Sequence, residues 1–555
     1  MLTSGQLAKP REAALTSPFD EATVAEYRTA GWWGSETVAD HVRRHAARRP
    51  GGAAYVTPGE TLTWTQYDDH STRLARHLAA LGLAPGERVA TQLPDGPAWH
   101  VAAVAAEKAG LVLVGVGARA GRRELRHLLG RTGSRALITL AEHRGAPSAA
   151  LVDELRADGL DLAQHVIVDR LGVPADPRET DIAGRALGPD DLSILNSTSG
   201  TTGLPKCVSH TQNRWFYFHE LACRSGELNS DDVFMGAVPS PFGFGLWTAH
   251  FSPAALGVPT VVMERFDAHM ALDLIEQHRV TVLHCVSTQF IMMLNAQAER
   301  PRDLSSLRCM FTGGEAVPYD RAAAFEDATG AKVLQFYGSN ETGALSYTGL
   351  HDTREHRLRT AGRIIPEMEV RLFDPSDGTD ITGSGRPGQP GCKGPATCPG
   401  YYDDPAANRE LFTPDGWMLM ADIVEIDDDG YLRVVGRLSD LIIRGGKNIS
   451  AAAVEEEVAT HPAVALAAAV AMPDEVFGER VCVYAELRPG TKLTLEDLTA
   501  HLTERGVSRE WHPERLIVLD ALPRSSGGKV AKGDLRADIR RRVTEGHDAE
   551  EHVTG

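Results

Sequence analysis

Short apolar runs and amphipathic stretches alternate through the first third of this 555-residue chain, and that order admits few architectures. From Tyr55 a strand pair bends at Pro58-Gly59, an amphipathic stretch covers residues 67–83, and a strand follows Gly86 over residues 88–93. The alternation returns through residues 99–110, 111–115, 124–130 and 136–139, with Gly or Pro at the turns. Strand-helix-strand order of this kind builds α/β layers. A chain of this length exceeds one ordinary core, so at least two globular units are expected. No fixed-period repeat is visible.

The character changes further on. Residues 374–402 are rich in Gly and Pro, which predicts turns and short strands. A hairpin follows, its strands around Val424 and Val434 joined by the turn Asp427-Asp428-Asp429-Gly430. Beyond Leu441 a helical AAVEEEVATHP, a strand near Val464 and a helix in LTLEDLTAHLTERG read as a separate α+β unit of ordinary domain size. The boundary falls near Arg437 to Asp440, giving expected domains 1–438 and 439–555.

Bulk properties exclude several classes. A net charge of −18 opposes general nucleic-acid binding, which needs a basic face to release counterions. Seven scattered cysteines do not form a disulfide framework, and Cys392 and Cys398 lack the spacing of a zinc site, so free thiols in a reducing, cytoplasmic setting are expected. The start lacks the apolar core of a secretory signal. The apolar run over residues 463–472 is too short to span a bilayer and reads as a buried strand.

The most informative stretch is Ser197-Thr198-Ser199-Gly200-Thr201-Thr202-Gly203-Leu204-Pro205-Lys206, preceded by a strand over residues 191–195. Glycines let backbone approach an anion, hydroxyls donate to it, and Lys206 supplies a point charge. The glycine spacing differs from the Walker pattern and no Ser or Thr follows the lysine. Composition alone also suits a surface loop. The terminal Pro-Lys and the preceding strand favour a phosphate cradle.

STSGTTGLPK resembles the signature of the adenylate-forming superfamily, which includes acyl-CoA synthetases, adenylation domains of peptide synthetases and luciferases. The likeness runs from near Ala25 to near Arg540. It implies an α/β fold: a large N-terminal domain of layered αβα sheets with a small β-barrel-like subdomain, then a small mobile α+β C-terminal domain. It also implies that Gly313-Gly314-Glu315 and Phe336-Tyr337-Gly338-Ser339-Asn340-Glu341 hold ATP, with Thr198, Ser199, Gly200, Thr201, Thr202, Gly203 and Lys206 on its phosphates. Glu341 is then the Mg²⁺ ligand, a hard oxygen suited to that ion. Asn340 replaces the usual threonine, and its amide can still donate to the α-phosphate. Asp422 and Arg437 match the ribose or phosphate contacts, although the usual Thr-Gly before the aspartate is absent. Ser439 stands at the hinge, where Asp or Lys is usual. Gly445 and Gly446 match a coenzyme A tunnel, and Lys529 matches the catalytic lysine.

The acid pocket implied by the resemblance involves Gly313, Gly338 and the segment Pro239-Ser240-Pro241-Phe242-Gly243-Phe244-Gly245. Phe242 and Phe244, with no charge beside them, suit a flat or cyclic apolar acid, and serve equally well as core. Tyr27-Arg28-Thr29-Ala30-Gly31-Trp32-Trp33 is similar to the subgroup of dihydroxybenzoate-adenylate ligases and cyclohexanecarboxylate-CoA ligases. The implied reaction consumes ATP with Mg²⁺, forms an acyl-adenylate from an aryl or alicyclic acid, and passes it to coenzyme A. Alternatives keep adenylation but change the acceptor to a carrier-protein thiol, or activate nitrite to diazotise an aromatic amine. A binding protein without catalysis would lack Lys529 or Glu341, and both are present.

Overall fold

The computed structural model describes residues 19–197, 205–314, 317–444, 447–524 and 530–545. Among these, the first alternation closes into a six-stranded sheet in the order Cys207–His210, Ile194–Ser197, Val112–Gly115, Arg88–Gln92, Ala136–Thr139, Gln164–Ile167. All neighbours are parallel except the first pair. A nine-stranded sheet has a parallel centre, Cys309–Gly313, Val282–His284, Phe234–Gly236 and Thr260–Val262 among its strands, and antiparallel strands at both edges.

Helices between the sheets fuse them into one body. All thirteen residues of Pro97–Ala109 are buried, as its Ala- and Val-rich sequence requires of a helix with no solvent face. Gln212–Gly226 lies in the same layer, and one core spans both sheets through Trp99, Val104, Trp215, Leu221 and Phe311. A second core sits under Ala268–His278, Ser287–Glu299 and Tyr319–Thr329, and a third under Arg122–Thr132 and Ser148–Ala157. The stacking is helix, sheet, helix, sheet, helix, the expected layering with its middle layer shared.

The Gly/Pro-rich stretch contributes Gln389–Lys393 to a three-stranded sheet with Glu369–Phe373 and Met418–Leu419. The expected hairpin is present as Asp422–Ile426 and Leu432–Arg437, tied to this sheet by reciprocal 2.9 Å bonds between Gly388 and Val424. The small C-terminal domain has a sheet built on the long pair Val464–Asp474 and Gly478–Leu487, with a core on each face. The apolar run over residues 463–472 is therefore the start of its central hairpin. The seven cysteines are free thiols, and among the described residues no helix is long and apolar enough to cross a membrane.

Candidate functional site

Both large sheets bring loops to one place. The strands flanking the phosphate loop pair antiparallel, Ser197 opposite Cys207 and Asn196 opposite Val208, which fixes both ends of the loop. On the other sheet, Lys332–Ser339 bulges between Tyr337 and Gly338 and turns through Ser339–Thr342 into Gly343–Tyr347. The turn closes on itself: Ser339 N–H donates to Thr342 Oγ1 at 2.9 Å, and Ser339 Oγ accepts from the N–H groups of Glu341 and Thr342. Gly338 is required, since a Cβ there would lie 1.7 Å from the Gly343 carbonyl oxygen.

Tyr401 joins Lys206 to Glu341. Its hydroxyl donates to Glu341 Oε1 at 2.8 Å, and the Lys206 ammonium lies 4.7 Å from the centre of its ring. Burial, then the Glu341 charge, push the Tyr401 phenol above its usual range, so it remains a donor at neutral pH. Tyr401 reaches this position because residues 400–402 line up beside Cys207–His210, with Ser209 N–H on Gly400 O at 3.0 Å and Tyr402 N–H on Cys207 O at 2.8 Å.

Asn340 is held from below. Its Nδ2 donates to Asn196 Oδ1 at 2.6 Å, and Asn196 Nδ2 donates to Asn340 Oδ1 at 3.2 Å. His210 Nε2 bonds Asn196 Oδ1 at 2.7 Å, and Arg214 bonds His210 Nδ1. Arg214, 1% exposed, also donates to the carbonyls of Ala396 (2.8 Å), Asn340 (3.0 Å) and Glu341 (3.0 Å). Burial lowers its pKa to about 10, which leaves it charged at neutral pH, and burial holds His210 far below the usual imidazole range.

The hairpin delivers a third group. Asp422 and Arg437 face each other in register, with Arg437 Nε 3.4 Å from Asp422 Oδ1, and Tyr337 Oη donates to Asp422 Oδ2 at 2.9 Å. Of the residues expected to meet on a nucleotide, Lys206, Tyr337, Asn340, Glu341, Asp422 and Arg437 are thus neighbours.

Beside Asn340 lies a wall of rings. A Cβ on Gly243 would approach Asn340 Oδ1 to 2.5 Å, so only glycine lets the aromatic segment pass there. Phe242 covers Gly117, and Phe244 meets Trp247 edge-on at 5.5 Å. Phe218 lies 5.0 Å from both Trp247 and Phe336. The Phe336 ring, 6% exposed, therefore belongs to this aromatic cluster. Sequence reading named Phe242 and Phe244 for the acid pocket and Phe336 for ATP, whereas the Phe336 ring packs in the aromatic cluster, and it missed Trp247, Phe218, Tyr401 and Arg214. Trp247 and Phe218 sit on helices whose apolar faces look like ordinary core, and Tyr401 hides in a turn-rich stretch. Gly313 ends its strand with a Cβ position 2.4 Å from Phe336 O, and Gly314 adopts φ +76°.

Thr198, Ser199, Gly200, Thr201, Thr202, Gly203, Glu315, Gly445, Gly446, Lys529 and the Ser439 side chain lie outside the described residues. Lys532, the neighbouring lysine, is committed to Glu455 at 2.8 Å and Asp440 at 3.3 Å.

The chain is similar to known proteins over most of its length. The sequence profile described as AMP-binding enzyme matches residues 42–402, and that described as AMP-binding enzyme C-terminal domain matches residues 453–529. The chain is 31% identical over 545 residues to medium-chain fatty-acid–CoA ligase of Escherichia coli K12, covering 96% of this chain and 95% of that one. It is 32% identical over 553 residues to salicyl-AMP ligase / salicyl-S-ArCP synthetase of Mycobacterium tuberculosis H37Rv, covering 94% of each. The structure of o-succinylbenzoate CoA synthetase from Bacillus subtilis, in complex with its acyl-adenylate intermediate, superposes with a TM-score of 0.79 at 26% identity, covering 94% of this chain and 100% of that one.

Proposed function

The chain belongs to the AMP-binding enzyme family, and on that premise we propose that it activates an aryl or alicyclic carboxylic acid with ATP, releases pyrophosphate, and transfers the acyl group from the adenylate to coenzyme A. The observation that carries this reading is the meeting of Lys206, Tyr401 and Glu341 from three separate segments beside Asn340.

Each residue then has a task. Lys206 and the hydroxyls of residues 198–202 take the phosphates. Tyr337 stacks on the adenine while Asp422 and Arg437 accept and donate at the ribose, their present mutual bonds giving way to ligand. Glu341 suits Mg²⁺: it is a hard oxygen ligand whose Oε1 is oriented by Tyr401. Bound there, the ion would neutralise phosphate charge as pyrophosphate leaves. Lys529, brought by the C-terminal domain, offsets charge where carboxylate meets α-phosphate. Phe242 and Phe244, with Trp247 packed behind Phe244, surround the acid's apolar part, which favours rings over short polar acids. Rotation at Ser439 between two domain arrangements would exchange Lys529 for the Gly445-Gly446 segment, which admits the thiol.

The test incubates the enzyme with ATP, Mg²⁺ and a panel of aromatic, alicyclic and medium-chain acids. It reads acid-dependent ATP–pyrophosphate exchange and the mass of products formed with CoA, with a carrier-protein pantetheine, or with nitrite plus an aminoaryl acid. A CoA thioester of a ring-bearing acid is expected. A diazo product without thioester would overturn the acceptor. Lys529→Ala should abolish exchange yet leave CoA attack on a supplied acyl-adenylate nearly intact; equal loss of both would remove Lys529 from its role.

A further inference from the structure

Asn340 occupies a place where a wrong side-chain orientation would be costly. A threonine hydroxyl rotates to donate, whereas an asparagine offers a donor on one side and an acceptor on the other. Its orientation must come from elsewhere.

The chain of bonds behind it has a polarity set by one group. A guanidinium only donates, so His210 Nδ1, facing Arg214, must accept. The ring proton then sits on Nε2 and donates to Asn196 Oδ1. With its oxygen turned to His210, Asn196 points its NH₂ at Asn340 Oδ1, and Asn340 Nδ2 donates back to Asn196. Gly243 lies against the same Asn340 oxygen. That oxygen is consumed on the buried side, and Nδ2 keeps one hydrogen.

Resting on the reading of Asn340 as an α-phosphate contact, we propose that Asn196, oriented by Arg214 through His210, is a positioning residue for adenylation: it locks Asn340 so that an N–H rather than a carbonyl oxygen meets the phosphate. The buried charge of Arg214 fits this role. No carboxylate pairs with it among the described residues, and backbone carbonyls and His210 satisfy its donors instead. Burying a cation in this way carries a desolvation cost that a purely packing role would not require.

The test is a cycle of variants read by acid-dependent exchange with the best acid of the panel. Asn340→Ala should lower kcat about 100-fold, as for loss of one donor to a developing charge. Asn196→Ala and His210→Phe should each cost about 10- to 100-fold in kcat with little change in the KM for ATP. The double variant Asn196→Ala/Asn340→Ala should be no worse than Asn340→Ala alone, because the first residue acts through the second. Asn340→Thr should retain exchange and make both Asn196→Ala and His210→Phe nearly silent, a rescue that a structural role would not allow. Losses that multiply in the double variant, or persist with Thr at 340, overturn the inference while leaving the proposed reaction standing. Unimpaired exchange by Asn340→Ala removes the phosphate role of Asn340, and the inference with it.

Discussion

Tyr401 shows how much a site residue can depend on its neighbours. Its ring carries Lys206 and its hydroxyl fixes one oxygen of Glu341, so one side chain sets the spacing between a cation and the carboxylate proposed to hold Mg²⁺. Tyr401→Phe keeps the ring and removes the bond. The Mg²⁺ concentration for half-maximal exchange should then rise about tenfold, while kcat at saturating Mg²⁺ stays near the parent value. A Mg²⁺ titration that overlays the parent's would remove Tyr401 from the metal site. Glu341 and Lys206 could be named from sequence because their residue types follow a motif. Tyr401 could not, because a tyrosine in a Gly/Pro-rich stretch carries no sign of which carboxylate it will meet 60 positions earlier. The same holds for Asn340: its departure from threonine was visible, but the bond to Asn196, 144 positions away, was not.

Among the elements, helix starts were partly legible. The amphipathic stretch expected over residues 67–83 is the helix Trp64–Ala80, shifted because Thr63 and Gln66 form a capping box that starts it earlier. Helix Val38–Arg48 has such a box from Thr37 and Asp40, but also draws on other helices: Gln212 Oε1 accepts from Val38 N–H at 2.8 Å and Glu107 Oε1 from Ala39 N–H at 3.1 Å. Burial raises the Glu107 carboxyl to about 7, above its unfolded value of 4.5. The folded chain therefore holds this proton more tightly than the unfolded one. The stability it contributes is full below pH 4.5 and is lost as pH rises through 7. Glu107→Gln keeps an acceptor for Ala39 without the charge. Relative to the parent, it should gain up to roughly 3 kcal/mol between pH 4.5 and pH 8, measured by denaturant unfolding at each pH. A constant difference across that range would show that Glu107 ionises freely in the fold.

For the molecule as a whole, the question is how one chain serves two half-reactions. The turn Leu438–Asp440 links the hairpin to the C-terminal sheet, and Asp440 anchors the last helix through Arg536 at 2.7 Å and Lys532 at 3.3 Å. A proline at 439 suits the helical φ of such a turn but resists change. Ser439→Pro should therefore leave the melting temperature close to the parent's and slow one half-reaction at least tenfold relative to the other, measured as exchange and as CoA attack on supplied adenylate. Equal rates in both would argue against rotation at this residue.

The sequence by itself determined the α/β layering and the small second domain, because periodicity and turn residues are local properties, and its phosphate-cradle motif pointed to the family. Only the tertiary structure decided that the middle helices are shared by both sheets, that Tyr401 stands between Lys206 and Glu341, and that a buried arginine is bonded through His210 and Asn196 to Asn340. Those facts depend on which distant strands pair and which donors face which acceptors, and no short stretch of chain encodes a partner tens to hundreds of residues away.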